Sequence, residues 1–414
     1  MPASAEKARE LQETLGGWRE AIVDFACELI EAPTVNPPGD ERQLAQLIAQ
    51  RAQSLGLGQP DILAARPEHP NLLLRLRGGR AGPTLMLNGH MDTKPVGDRG
   101  AWHTDPLVPT IRDGRLFGLG ACDMKGAVAA MLYAAAALRP LRPDLRGDLL
   151  LVFTADEEHA GEHGAQYLVS TGKLRADAGL LGEPSGVTRE WEALHIVGRG
   201  VTGFRIKVRG TQMHSSCSDI LPSVNASVKM AGVLSRLAKD LRLTFTPHPL
   251  CPQGVTVNHG VTLAGGVTWG VYPGYAEFGT DVRTLPGMSL EGVRRDVEAV
   301  LARLRAEDPD LQVEMEFAEP PLRWIEPTEV APDDPLVEST AWAAEQVLGF
   351  RPPLGTFPGA TDATAFQHRG GIRCIPSFGP GLLPLAHGPN EHVLVESIVQ
   401  AARIYALAAL DFLS

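Results

Sequence analysis

Along the first third of the chain, apolar residues recur in two alternating rhythms. From Gly16 to Ile30, and again from Asp40 to Leu55, they return every three or four positions. That spacing predicts two amphipathic helices, with Asp40 placed to cap the second. Short apolar runs follow at Asn71–Leu76, Thr84–Asn88, Leu149–Thr154 and Ala178–Leu181, and each predicts a buried strand. Gly126–Leu138 is Ala-rich and almost wholly apolar. It is shorter than the roughly 20 residues a membrane span needs, so it predicts a helix buried in the protein. Strands alternating with helices predict a mainly parallel sheet covered on both faces.

Beyond Ile196 the pattern changes. Phe204–Val208 alternates apolar and basic positions, as a half-exposed strand does. Gly254–Leu263, Tyr275–Arg283 and Leu311–Phe317 read as further strands, and Asn225–Leu241 and Leu290–Leu304 as helices. The strand–helix–strand rhythm is missing here, which predicts a small α+β unit inserted into the larger one. Pro320, Pro321 and the prolines up to Pro335 mark the return. Asp334–Ser414 resumes the alternation and ends on an apolar helix, Val393–Leu413. The expected architecture is two-domain α/β. Residues 1–196 and 319–414 form a mainly parallel-sheet catalytic domain, and 197–318 form an inserted α+β domain.

Composition narrows the function. A chain of 414 residues exceeds the usual size of a single core, and 44% hydrophobic with 21% charged residues suits a globular protein. A net charge of −11 opposes polyphosphate, so nucleic acid is not an expected partner. Cys27, Cys122, Cys217, Cys251 and Cys374 are scattered and form no CxxC pair. They indicate neither a disulfide framework nor a thiolate zinc site, and suit a reducing compartment. Met1–Gly17 is polar and lacks an apolar core of the signal-peptide kind. The expectation is a cytoplasmic protein with no membrane partner.

Chemistry-bearing residues gather where strands end, which is where open α/β sheets bind ligands. His90 and Asp92 follow the Thr84–Asn88 run; on a continuing strand they face the same way, so Asp92 could hold the His90 ring from behind. His-x-Asp alone reads more readily as a surface turn. Gly118-x-Gly120 hints at a dinucleotide loop, but Asp123 replaces the third glycine and would repel pyrophosphate. Glu157 and Glu158 follow the Leu149–Thr154 run and taken alone could be a solvated turn. Glu183 follows Ala178–Leu181, and His387 sits in a Gly/Pro loop. Together, two histidines and several carboxylates without cysteine form a donor set for Zn²⁺, Mn²⁺ or Co²⁺.

The order His90-x-Asp92, Asp123-Met-Lys-Gly, Glu157-Glu158, Gly-Glu183-Pro and Ala-His387-x-x-Asn-Glu resembles the dinuclear-metal amidohydrolases and peptidases. That family includes acetylornithine deacetylase, succinyl-diaminopimelate desuccinylase, aminoacylase and glutamate carboxypeptidase. The resemblance covers nearly the whole chain. It implies two divalent ions, Zn²⁺ in the first place with Co²⁺ or Mn²⁺ as alternatives. His90, Asp123 and Glu183 would hold one ion, Asp123, Glu158 and His387 the other. Asp92 would orient His90, and Glu157 would act as general base. The inserted unit resembles the family's lid and dimerisation domain, which implies a homodimer. His214 would then reach a partner's active site as an oxyanion donor, and Asn258, Arg283 and Gly359 would contact substrate. For Arg283 an interdomain ion pair is the alternative.

The sequence departs from the family pattern between Cys217 and Val224, where the loop is longer and Ser223 stands in place of glycine. The expected function is hydrolysis of the amide bond of a small N-acyl amino acid or related metabolite. A dipeptidase or carboxypeptidase is the alternative, as is an aminohydrolase acting on an aromatic amine. A catalytically silent metal-binding protein is disfavoured, because Glu157 and all five ligand candidates are present.

Overall fold

Residues 5–414 are described by a computed structural model; residues 1–4, the start of the polar Met1–Gly17 stretch, lie outside the described residues. The chain divides into two units. One comprises the chain up to Gly198 with Thr328–Phe357 and Thr361–Ser414; the other comprises Arg199–Pro327 with Pro358–Ala360.

The apolar runs of the first third assemble into a six-stranded sheet. Its order is Asp61–Ala64, Pro70–Arg77, Arg146–Thr154, Arg80–His90, Ala178–Leu181 and Arg373–Ile375. The last four strands run parallel to one another, and the first two add an antiparallel edge. Leu85, Met86 and Leu87, like Leu149–Phe153, are buried at consecutive positions, because a parallel strand between two helical layers has no wet face. The connection from Arg80–His90 to its parallel neighbour Arg146–Thr154 passes through the helix Gly126–Leu138. All residues of this helix are buried. It packs against the helices Arg19–Glu31 and Val395–Phe412 and against those two strands. A longer helical stretch, Ala121–Asp144, has the length and hydropathy of a membrane span, but it is enclosed by the protein's own core.

Three boundaries differ from the sequence expectation. The first helix begins at Ala5, runs to Gly17, and is followed at once by Arg19–Glu31. Ala8, Leu11 and Leu15 make a narrow buried stripe that the surrounding charges obscure in the sequence. Asp40 does not occupy the cap position; the helix spans Arg42–Ser54 with Glu41 at its N-cap. Asp40 pairs instead with the Arg42 guanidinium at 2.8 and 2.5 Å, and Glu41 turns inward to His69 Nδ1 at 2.9 Å. The last helix begins at Val395, because His392–Leu394 pairs as a strand with Arg115–Phe117.

In the second unit, Thr256–Gly265, Tyr275–Thr284, Gly200–Arg209 and Gln312–Phe317 form an antiparallel sheet in that order. Helices Ala226–Asp240 and Leu290–Glu307 supply Val233, Leu237, Val297 and Leu301 to a core with Phe204, Ile206, Val208 and Phe278. Asn225 caps the first helix by accepting from Val228 N at 3.1 Å.

Glycines at two strand ends let the enclosed helix lie close to the sheet. A Cβ on Gly182 would meet Met131 Cε at 2.5 Å and Ala127 Cβ at 2.9 Å. The methionine can yield, but the alanine is fixed in the helix. Gly182→Ala is therefore expected to destabilise the protein by about 1–3 kcal/mol through overpacking. The entropic gain of alanine in the unfolded chain, about 0.4–1 kcal/mol, does not offset that. Urea denaturation checks this, and an unchanged midpoint contradicts it.

Candidate metal centre

Sheet register places four of the residues. His90 ends its strand opposite Thr154, and Asn88 lies opposite Leu181. Residues just past the carboxyl ends of three adjacent parallel strands are thereby set side by side: His90, Glu157 with Glu158, and Glu183. Asp123 enters from the turn between the Arg115–Phe117 strand and the Gly126–Leu138 helix, and His387 from the loop before His392–Leu394.

These residues converge around Asp123. Its Oδ1 lies 2.8 Å from His90 Nε2 and its Oδ2 3.3 Å from His387 Nε2. His387 Nε2 is also 3.0 Å from Glu158 Oε1, and His90 Nε2 is 3.8 Å from Glu183 Oε1. One donor atom from each of His90, Asp123 and Glu158 lies within 4.8 Å of the others, and the same holds for His90, Glu157 and Glu183. Glu157 thus stands as near to His90 and Glu183 as a ligand would. Lys94 Nζ donates to the Glu158 backbone carbonyl and approaches its carboxylate at 3.3 Å.

Asp92 works differently from expectation. The strand ends at His90, so the side-by-side relation of a continuing strand does not carry over. His90 Nδ1 meets the Asp92 backbone carbonyl at 3.0 Å, while the Asp92 carboxylate stays 3.7 Å away. That carboxylate instead accepts from Glu157 N and Glu158 N, both at 3.0 Å, and from Asn36 Nδ2 at 2.9 Å. It fixes the turn that carries both glutamates.

The electrostatics follow from crowding like charges in a mostly buried space. Burial pushes Glu157 well above the usual carboxylate range against the pull of His90, and Asp362, Glu158 and Asp92 push it further. Burial and the Asp123 carboxylate do the same to Glu183. Asp92 rises to about 6 and Asp362 to about 7, both chiefly through burial. Burial also opposes charge on Asp123, but hydrogen bonds from His387 and His90 hold it below the usual range. Burial disfavours the His387 imidazolium, yet its bonds to Asp123 and Glu158 raise it to about 10, and His90 is raised by Asp123 and Glu183 in the same way. Four neighbouring carboxylates cannot all ionise here on the charge of two imidazoles. Cations of charge two fit this donor set, which is nitrogen and oxygen throughout.

Four further residues support the centre; of these, only Asp362, within the 359–362 stretch expected to contact substrate, is given a role by the sequence. Asn36 Nδ2 bridges Asp92 and Asp156 at 2.9 Å each; its Val-Asn-Pro-Pro-Gly setting marks only a turn. Lys125 is buried, donates to Ala32 O at 2.8 Å, and is pushed down to about 7 by burial. Asp362 accepts from Thr154 Oγ1 at 2.7 Å. Glu391 accepts from the backbone of the Asp123 turn.

The remaining expected residues belong to the second unit. His214 is exposed, and its Nδ1 accepts from Ser216 N at 3.3 Å and lies 2.7 Å from Ser216 Oγ. Asn258 Nδ2 and Arg283 Nε both approach Asp281 Oδ2, at 3.3 and 3.1 Å. Arg283 thus forms an ion pair with Asp281 of its own strand. Gly359 lies in the bend after the Leu354–Phe357 strand.

Comparison with known proteins agrees with this geometry. The chain is 29% identical over 387 residues to succinyl-diaminopimelate desuccinylase of Thioalkalivibrio sulfidiphilus (strain HL-EbGR7), covering 92% of this chain and 96% of that one. Human carnosine dipeptidase 1 superposes with a TM-score of 0.74 at 20% identity, covering 99% of each chain. Bacillus subtilis YXEP, a dinuclear metal binding peptidase of the M20 family, superposes at 0.65 with 18% identity, covering 96% of this chain and 99% of that one. These two likenesses carry the fold. A family model, that of peptidase family M20/M25/M40, matches residues 86–411. The chain belongs to peptidase family M20/M25/M40 and is a metal-dependent hydrolase.

Proposed function

We propose that this hydrolase is a deacylase that cleaves the amide bond of a small N-acyl amino acid, with N-succinyl compounds the first to test. The observation that carries the reading is the pairing of Asp123 between two histidines with Glu157 beside them, in a chain that aligns nearly end to end with a desuccinylase. His90, Asp123 and Glu183 would hold one ion, and Asp123, Glu158 and His387 the other, with Zn²⁺ favoured over Co²⁺ or Mn²⁺ by the nitrogen–carboxylate donors. The ions supply Lewis acidity toward the scissile carbonyl and the attacking water.

The chain's own residues do the rest. Glu157, beside the ligand candidates and raised well above the usual carboxylate range by burial, would take the water's proton and pass it to the leaving nitrogen. The Asp92 carboxylate holds the backbone of Glu157 and Glu158 in place while its carbonyl orients the His90 ring. In His214, Nδ1 accepts from Ser216 N, which leaves the proton on Nε2 and suits that nitrogen to donate to a developing oxyanion. The His214 that does so is the partner's in a homodimer. The edge strand Thr256–Gly265 supports dimerisation, since Val261 and Leu263 are 55% and 62% exposed, as does Val228 on the Ala226–Asp240 helix, 67% exposed. Arg283, Asn258 and Gly359 are the substrate contacts, with Arg283 exchanging Asp281 for a substrate carboxylate. The five cysteines are all free thiols, which supports a cytoplasmic setting.

Chelation is expected to abolish hydrolysis, and Zn²⁺, Co²⁺ or Mn²⁺ to restore it, on a panel of N-succinyl, N-acetyl, dipeptide and aromatic-amide substrates. Highest kcat/KM on an N-acyl amino acid supports the deacylase. Highest kcat/KM on dipeptides makes it a dipeptidase, and full activity of verified metal-free protein contradicts the metal assignment altogether.

Glu157→Gln keeps the side-chain shape and removes the base. Metal content is expected to stay near wild type while kcat falls by about 10²–10⁴. Loss of metal with only a modest rate loss would make Glu157 a ligand instead.

A further inference from the structure

His90, Glu158 and Glu183 owe their positions to the register of parallel strands. Asp123 and His387 come from loops flanking the paired strands Arg115–Phe117 and His392–Leu394, and that pairing ends at Phe117 and His392, short of both residues. Something else must hold them so that Asp123 Oδ2 lies 3.3 Å from His387 Nε2.

We propose that Glu391 is the positioning residue that sets the Asp123 turn against the segment carrying His387. The proposal rests on the reading of Asp123 and His387 as metal-holding residues. Glu391 is only 1% exposed. Its Oε1 accepts from Cys122 N at 2.9 Å and Asp123 N at 3.0 Å, and its Oε2 accepts from Gly120 N at 3.0 Å. Its backbone carbonyl accepts from Gly118 N at 3.1 Å. Four N–H groups of one short turn therefore end on one residue.

The turn is shaped to present them. Gly120 sits at φ +79°, where a Cβ would meet Thr93 Cγ2 at 2.6 Å. Successive amides curled in this way form a concavity for an oxygen acceptor, which the Glu391 carboxyl fills. A second carboxylate buried so near Asp123 is unfavourable by charge alone. Its retention there is explained by what it holds.

The other end of the link is equally short. Glu391 lies four residues after His387, in a segment where His387 and Asn390 have φ of +61° and +63°. Asn390 anchors that segment to His103 N at 2.7 Å and Ala101 O at 3.0 Å, and His392 pairs with Phe117 directly before the turn. The His387 loop is thus held on both sides of Glu391, and Glu391 extends the contact from the His392–Phe117 pair to the Asp123 turn itself.

Glu391→Gln tests this with metal affinity as the main readout. The amide nitrogen cannot accept, so at least one bond to the turn is lost. Titration of stripped protein with Zn²⁺ and Co²⁺ against a competing chelator is expected to show affinity about 10–100-fold below wild type, as for lost supporting contacts at metal sites. The visible spectrum of the Co²⁺-loaded protein is expected to change, and kcat to fall more than KM rises. Glu391→Asp, which keeps both carboxyl oxygens but is one methylene short, is expected to lose less. Asn225→Ala, which removes a helix cap in the second unit, controls for stability and is expected to bind metal as wild type. Either Glu391 variant, folded, with wild-type affinity and Co²⁺ spectrum overturns the proposal. If neither variant folds, Glu391 is a folding residue and the proposal is overturned equally. Wild-type protein that retains no ion overturns the metal reading itself, an outcome distinct from these.

Discussion

One carboxylate lies between two imidazoles, and the catalytic unit is arranged around that contact. Asp123 meets His90 through one oxygen and His387 through the other. The two histidines are 297 positions apart in the sequence, so the contact closes only when the sheet, the buried helix and the C-terminal segment are all in place. A buried carboxylate is costly unless paired. Here the imidazoles offset that cost, one at each oxygen of the carboxylate.

The fold explains why the site is where it is. Parallel strands end at a common edge, and turns leaving that edge bring His90, Glu157, Glu158 and Glu183 together. Asp92 then uses both oxygens of its side chain to hold the turn that carries the two glutamates, while its backbone meets His90. The roles of adjacent glutamates diverge through surroundings: Glu158 is engaged by His387 and Lys94, whereas Glu157 is pushed toward its protonated form by burial and by acidic neighbours. The two adjacent glutamates therefore differ in their surroundings, as carboxyl pairs that divide acid–base roles do.

Much of this was legible in the sequence, for identifiable reasons. The strands and the Gly126–Leu138 helix are buried on all sides, so their apolar runs are unbroken and unmistakable. The site residues stand directly after those runs, where strand ends must place them. The first helix was missed because its buried stripe is only three residues wide amid charges. For Asp92 the sequence predicts a carboxylate behind the His90 ring, but the strand stops at His90, and the Asp92 backbone carbonyl meets the ring instead, at 3.0 Å. Asn36, Lys125 and Glu391 were beyond sequence reasoning for a different reason. Each acts through backbone or side-chain partners far away in the chain, and no local pattern encodes such a pairing.

The shared carboxylate is tested most directly by counting metal. Asp123→Ala, stripped, reloaded with Zn²⁺ and passed through a desalting column, can be assayed for metal per chain by mass spectrometry beside wild type. If Asp123 serves both ions, wild type retains two and the variant retains neither. A folded Asp123→Ala protein that still holds one ion at wild-type affinity would contradict the account, because one of the histidines would then bind metal without it.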